Sequence, residues 1–177
     1  MFNNFNIEAF KRKKPPKDNS LKTFAELKDL QKININKKFV EDHDEIKDVF
    51  KSIVGEDEKN NIQNIIDKSA PIILKLKKYH NRPRPKDLAK NFNIKLDNIE
   101  LKSMKTPSYP SGHSAQAYLI AEVLKEKYPE KSKELDKKAK DISDSRNIAR
   151  AHYKSDSENG KELGISMYKY LKNGKRS

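Results

Sequence analysis

Residues 115–124 read Ala-Gln-Ala-Tyr-Leu-Ile-Ala-Glu-Val-Leu, and the apolar members of that run fall around most of a helical circumference. A helix of that kind does not lie on a surface; the rest of the chain has to wrap it. The spacing predicts a start at Ser111 or Gly112, continuation to about residue 128 and a stop at Pro129. The remaining segments must therefore supply amphipathic partners for a central, buried helix.

Those partners read as helices. Thr23-Phe24-Ala25-Glu26 has capping-box spacing, with Leu27 and Leu30 following at helical intervals. Residues 39–53 predict a second helix with Val40, Ile46, Val49, Phe50 and Ile53 inward and Gly55 as its stop. A third is expected over residues 57–69, bent or restarted at Pro71 and continued to Tyr79. Residues 87–92 predict a short helix, 93–109 a loop and 131–151 a long helix, while Ser155-Asp156-Ser157-Glu158 has the spacing of a capped start for the last one. His43, among Glu41, Asp42, Asp44 and Glu45, reads as part of a solvated helix face, because sequence neighbours do not face one way on a helix. No strand alternation and no repeat interrupts this pattern. The expected fold is all-α, a single-domain bundle of about six or seven helices.

A chain of 177 residues suits one domain with a real core. Lys11-Arg12-Lys13-Lys14-Pro15-Pro16-Lys17 predicts that residues 1–20 form an extended basic arm, since tandem prolines oppose helix, and leaves 21–177 as the domain. With 39 Lys+Arg against 26 Asp+Glu the net charge is +13, which favours anionic partners: phosphate esters, nucleic acid or acidic membrane surfaces. The absence of cysteine excludes disulfides, thiolate metal sites and thiol nucleophiles. The most apolar windows, 70–76 and 115–124, fall short of the roughly 20 residues that span a bilayer, so no transmembrane segment is expected. No signal-peptide run occupies residues 1–20; the chain as written is expected in the cytoplasm, or in the periplasm or outside if a signal has been removed.

Three short pieces carry the chemistry. Pro110-Ser111-Gly112-His113 sits at a helix start, where free backbone N–H groups and the positive dipole end favour an anion. Gly112 permits close approach, Ser111 offers a hydroxyl and His113 stands in the first turn. Lys77 and Arg84 are seven residues apart; the arginine presents a planar fork to two oxygens, whereas the lysine acts as a point charge. Arg82 reads as a surface cation or a group behind the site. Arg146 and His152, six apart, converge if the helix ends after Ala151, and Asp156 lies four residues beyond His152 across that break. A carboxylate on one imidazole nitrogen fixes the tautomer and frees the other to attack. The roles that follow are His152 as nucleophile, Asp156 as its orienting group and His113 as the acid that protonates the departing oxygen. Lys77, Arg84, Ser111, Gly112 and Arg146 are the phosphate-binding set.

At these residues the sequence resembles the type 2 phosphatidic acid phosphatases, a family that includes bacterial non-specific acid phosphatases and vanadium haloperoxidases. The pattern K-x6-RP, PSGH and SR-x5-H-x3-D is matched without substitution at Lys77 to Arg84-Pro85, Pro110 to His113, and Ser145-Arg146 to His152 and Asp156. Asn81-Arg82-Pro83-Arg84-Pro85 with Leu88-Ala89, and Pro107-Ser108-Tyr109 leading into Ser114-Ala115-Gln116-Ala117, resemble the soluble acid-phosphatase branch. The resemblance implies an all-α fold, hydrolysis of phosphomonoesters through a phosphohistidine intermediate that can also pass phosphate to an alcohol, and no metal requirement. Lys86 departs from the aromatic that many relatives carry after the RP pair, and the transmembrane helices of the lipid-phosphatase branch are absent.

Two other readings compete. A vanadate-dependent haloperoxidase would hold vanadate in the same cradle as a prosthetic group; in the phosphatase reading no cofactor is expected and vanadate is an inhibitor. The charge and the basic arm suggest a nucleic-acid binder, but no interleaved aromatic stripe and no reader motif supports it. The expected partner is a small phosphorylated substrate, with its identity and the oligomeric state left open.

Overall fold

A computed structural model of the chain describes residues 1–174. The C-terminal limit expected for the domain, residue 177, lies outside them. The elements are α1 (Ile7–Arg12), α2 (Leu21–Lys32), α3 (Lys37–Asp42), α4 (Ile46–Val54), α5 (Lys59–His80), α6 (Pro85–Ala89), α7 (Gly112–Lys127), α8 (Ser132–Ile148) and α9 (Lys154–Gly174), with short 3-10 turns between some of them and no strand among the described residues. The all-α expectation holds. The count exceeds six or seven because α1, α3 and α6, of five or six residues each, add to six longer helices.

The central helix is α7. Ala115, Ala117, Leu119, Ile120, Ala121 and Leu124 are all within 1 % of full burial, and α5, α8 and α9 pack around them. Glycine sets how closely α9 can approach. A Cβ at Gly164 would lie 2.2 Å from the Ala115 carbonyl oxygen, and one at Gly160 would lie 2.5 Å from that of Ser111. The backbones of the two helices therefore touch along the first turns of α7, close enough for the Ser111 amide to donate to the Asp156 carbonyl at 3.0 Å. Helix propensity alone makes Gly164→Ala stabilising by about 1 kcal/mol; the backbone clash reverses the sign, and we expect a loss of about 2 kcal/mol in urea unfolding. A more stable variant would refute the close packing.

Four local expectations change. Residues 39–53 are two helices, α3 and α4, broken at His43-Asp44-Glu45; His43 ends α3 as a buried residue whose Nδ1 lies 2.7 Å from the Phe39 carbonyl, so it is not on a solvated face. Pro71 does not break α5, which runs on through it. Pro71 lacks the N–H that would bond the Asp67 carbonyl, and both residues are exposed, so the lost bond falls on the solvent side of the helix. The box at residues 23–26 does not form: Ser20 caps α2 by accepting from the Thr23 amide, and Glu26 turns elsewhere.

The fourth concerns residues 1–20, which are not an extended arm throughout. Residues 7–12 form α1, and Phe2 and Phe10 are buried against the main core. Phe5 stacks on Phe10 at 6.0 Å and meets Tyr170 edge-on at 5.8 Å, and His80 Nε2 bonds the Phe10 carbonyl. The aromatics ahead of the basic run supply the burial that the run itself lacks.

Candidate active site

Each piece of the site is presented by a helix end. Asn81, in the left-handed region at φ 47°, closes α5 just after Lys77, and Pro83 and Pro85 hold Arg84 extended as the residue that opens α6. α8 ends at Ile148, three residues earlier than expected. Arg150 takes φ 56°, and the amides of Arg150 and Ala151 donate to the carbonyls of Asn147 and Arg146 at 2.9 and 3.0 Å. That bond pair is the one that usually requires glycine. Arg150 offsets the left-handed strain by donating to the carbonyls of Gln31, Ile33 and Asp97. The turn throws His152 away from the helix axis and towards Arg84.

Lys77, Arg84, Gly112, His113 and His152 line one cavity of about 240 Å3. Both imidazoles therefore face the same small space. Ser111, Arg146 and Asp156 do not line it but lie directly behind. The Ser111 hydroxyl, fully buried, accepts from the Ser114 amide and caps α7. The Gly112 and His113 amides precede the first intrahelical bond and have no helical acceptor. A larger opening of about 470 Å3, bordered by Leu30, Ile33, Tyr118 and Ile148, contains neither histidine and none of the three cations.

His152 is 2 % exposed. Its Nδ1 lies 3.2 Å from Asp156 Oδ2, and Arg84 Nη1 donates to its Nε2 at 3.0 Å. A carboxylate only accepts and a guanidinium only donates, so Nδ1 carries the hydrogen and Nε2 keeps its lone pair. Burial, only partly offset by Asp156, together with the charges of Arg84 and Lys77, pushes the imidazole down to about 3. Burial alone would raise the Asp156 carboxyl; the hydrogen bond from His152 and the Arg82 guanidinium outweigh it and hold it at about 2. The pair is a neutral imidazole on a carboxylate.

The cations crowd one another. Burial and then Arg84 lower the Lys77 ammonium to about 7, and its Nζ rests 2.7 Å from the Pro107 carbonyl. Burial, offset in part by Asp156, and Arg146 lower Arg84 to about 10; it donates to the carbonyls of Ser103, Thr106 and Ala151. Arg146 is fully buried, and its Nη2 has no partner among the described residues. Burial and then the Arg146 charge take His113 down to about 4. Such a set is relieved by an entering dianion, which returns the charge that desolvation removed.

Three contributors were not assigned from the sequence, and a fourth, Arg82, was read there as a surface cation or a group behind the site. Asp44, in the break between α3 and α4, accepts from Arg146 Nη1 at 2.7 Å and presents its carbonyl to His113 Nε2 at 3.1 Å. That carbonyl fixes the hydrogen on Nε2 and leaves Nδ1 as the nitrogen that titrates. Ser108 donates a short hydrogen bond to Asp156 Oδ2. Arg82, 1 % exposed and so no surface cation, donates to Asp156 Oδ1 at 2.7 Å, to Ser155 Oγ at 2.8 Å and to Glu26 Oε2 at 3.0 Å, with its guanidinium 3.7 Å above the Tyr153 ring. Glu26 also accepts from the Ser155 amide at 2.7 Å, capping α9 from another helix. The signal for Arg82 was present in its place between Asn81 and two prolines; nothing local marked Asp44. Lys86 pairs with Glu100 on the surface and does not reach the cavity.

Known proteins resemble the chain both in sequence and in fold. The chain is 39 % identical over 95 residues to a non-specific acid phosphatase of Salmonella typhimurium and 36 % identical over 95 residues to one of Salmonella typhi. In sequence it is similar to non-specific acid phosphatases, and in fold to a PAP2-type phosphatase. The match takes in 54 % of this chain and 38 % of either relative, so the chain spans well under half the length of the curated relatives it matches. No family model matches the sequence. The fold is that of a transmembrane PAP2-type phosphatidylglycerolphosphate phosphatase from Bacillus subtilis, with a TM-score of 0.63 at 17 % identity over 99 % of this chain and 97 % of that one. Among the described residues no helix is long and apolar enough to cross a membrane.

Proposed function

We propose that this chain hydrolyses phosphomonoesters through a phosphohistidine intermediate, without a metal ion. The observation that carries the reading is the His152 tautomer: Asp156 holds Nδ1–H, Nε2 keeps a lone pair that now accepts from Arg84 Nη1, and the ring lines a cavity shared with His113, Lys77 and Arg84. Phosphate oxygens would take over the Arg84 donors that now reach carbonyls and Nε2, with Lys77, Arg146 and the Gly112 amide completing the cradle. The Nε2 lone pair forms the N–P bond as the P–O bond to the alcohol breaks, and His113 gives its proton to the departing oxygen. Water then attacks phosphorus with His113 as base, the N–P bond breaks and the lone pair returns to Nε2. In this reading vanadate is an inhibitor that occupies the same cradle.

The pH dependence follows from the two imidazoles. The acid needs His113 protonated and the nucleophile needs His152 neutral, and the free pocket holds them at about 4 and about 3. The profile of kcat/KM should be a bell on the acid side, with its alkaline limb governed by His113 and its acid limb by His152. Bound dianion favours the His113 imidazolium, so the alkaline limb of kcat lies at higher pH than that of kcat/KM. Phosphate release from a chromogenic phosphomonoester, in buffers from pH 3 to pH 9 containing EDTA, tests all three points. Activity that rises through pH 8, or that EDTA abolishes, refutes the mechanism.

A further inference from the structure

The cavity that holds the two histidines does not end at His113. Ser103, His113 and Gln116 also line a neighbouring opening of about 280 Å3, completed by the turn at residues 44–47, by Gln63 of α5 and by Lys102. The two spaces are compartments of one cleft with the His113 ring between them. In an in-line displacement the departing oxygen leaves phosphorus on the face opposite the attacking nitrogen. With His152 on one side and His113 as the acid, the alcohol has to leave past His113. The second compartment is where that alcohol sits, and its lining decides which alcohols are accepted.

That lining mixes Ile46 and Ile66 with polar groups and holds two lysines without a carboxylate partner among the described residues. Lys47 donates to the neutral amide oxygen of Gln63 at 3.0 Å, and Lys102 is exposed with no hydrogen bond or ion pair. Elsewhere on the same flank lysines do find carboxylates: Lys51 pairs with Glu56 at 3.0 Å and Lys59 with Glu56 at 3.1 Å. Two carboxylates face the compartment. Asp44 is already engaged by Arg146, which leaves Glu45 at the rim as the one opposing charge. With Arg146 and Asp44 offsetting each other, the two lysines outweigh Glu45 and the field is positive where the leaving group would lie. The geometry points to Lys47 and Lys102 as a subsite for an anion, carboxylate or phosphate, carried on the alcohol part of the substrate. Preferred substrates are then phosphomonoesters with a second negative group, an assignment that rests on the phosphatase reading for its turnover.

Binding tests the subsite without turnover. Titration calorimetry with 3-phosphonopropanoate and with propylphosphonate compares one phosphonate with and without a carboxylate on its tail. The wild type should favour the carboxylate by about fivefold, the scale of two partly exposed ion pairs. The ratio should fall to about one in K47Q/K102Q, or at least halve in K102Q alone, where the exposed position leaves folding undisturbed. A ratio near one in the wild type, a ratio unchanged in the variants, or no binding of either phosphonate overturns the subsite. In the second arm, kcat/KM for 3-phosphoglycerate should exceed that for glycerol 3-phosphate in the wild type only. Hydrolysis of neither, with the binding ratio intact, refutes the phosphatase reading and leaves the anion subsite standing.

Discussion

His152→Ala is expected to lower phosphate release by at least about a thousandfold, because the proposed mechanism transfers phosphorus to the atom it removes. The loss should fall on kcat. Lys77, Arg84 and the start of α7 remain in place, so inorganic phosphate should still bind and still raise the thermal midpoint. Wild type quenched in alkali during turnover should carry a base-stable, acid-labile phosphoryl group, and the variant should carry none. His113→Ala divides the mechanism differently: it slows release of a poor leaving group far more than of nitrophenol, which departs without a proton. A His152→Ala protein that keeps more than a tenth of wild-type kcat would remove the phosphohistidine from the mechanism, whatever the other residues do.

How much of this was legible depends on the range over which each residue acts. The central helix could be read because its own apolar circumference demanded burial, and Pro129 marked its end. The cradle could be read because its members come in pairs close in sequence: Lys77 with Arg84, Gly112 with His113, and His152 with Asp156. What failed was long-range. Asp44 acts on Arg146 across 102 positions and Glu26 on Ser155 across 129, and no local pattern encodes such a meeting. Glu26 was also hidden by a competing local role, since Thr23 and Glu26 have the spacing of a capping box that Ser20 pre-empts. The same limit explains Gly160 and Gly164. In sequence they are helix-weakening residues, and only the contact of α9 with the backbone of α7 shows that side chains there would hold Asp156 away from Ser111.

Arg82 carries the second large prediction, and it separates two readings of one residue. A surface cation can be replaced at a cost within about 0.5 kcal/mol. A fully buried guanidinium shared by Asp156, Glu26 and Ser155 cannot, because its removal leaves the buried Asp156 carboxylate without the cation paired to it; Arg82→Leu should cost about 3–5 kcal/mol. The pH dependence identifies the cause. Folded Asp156 is held at about 2, below its ordinary 3.8, so its contribution is present above 3.8 and is lost as pH falls through about 2. Without Arg82, the burial that raises the carboxyl is opposed by the remaining His152 and Ser108 hydrogen bonds, so its pKa moves up from about 2. The gap between wild type and Arg82→Leu should therefore be largest near pH 7 and shrink towards pH 3 in urea unfolding. Arg82→Lys, which keeps the charge but cannot fork to three acceptors or lie flat on Tyr153, should recover much of the stability and little of the kcat. A deficit below 1 kcal/mol, or one that does not change with pH, would mean that Arg82 does not hold the Asp156 carboxylate.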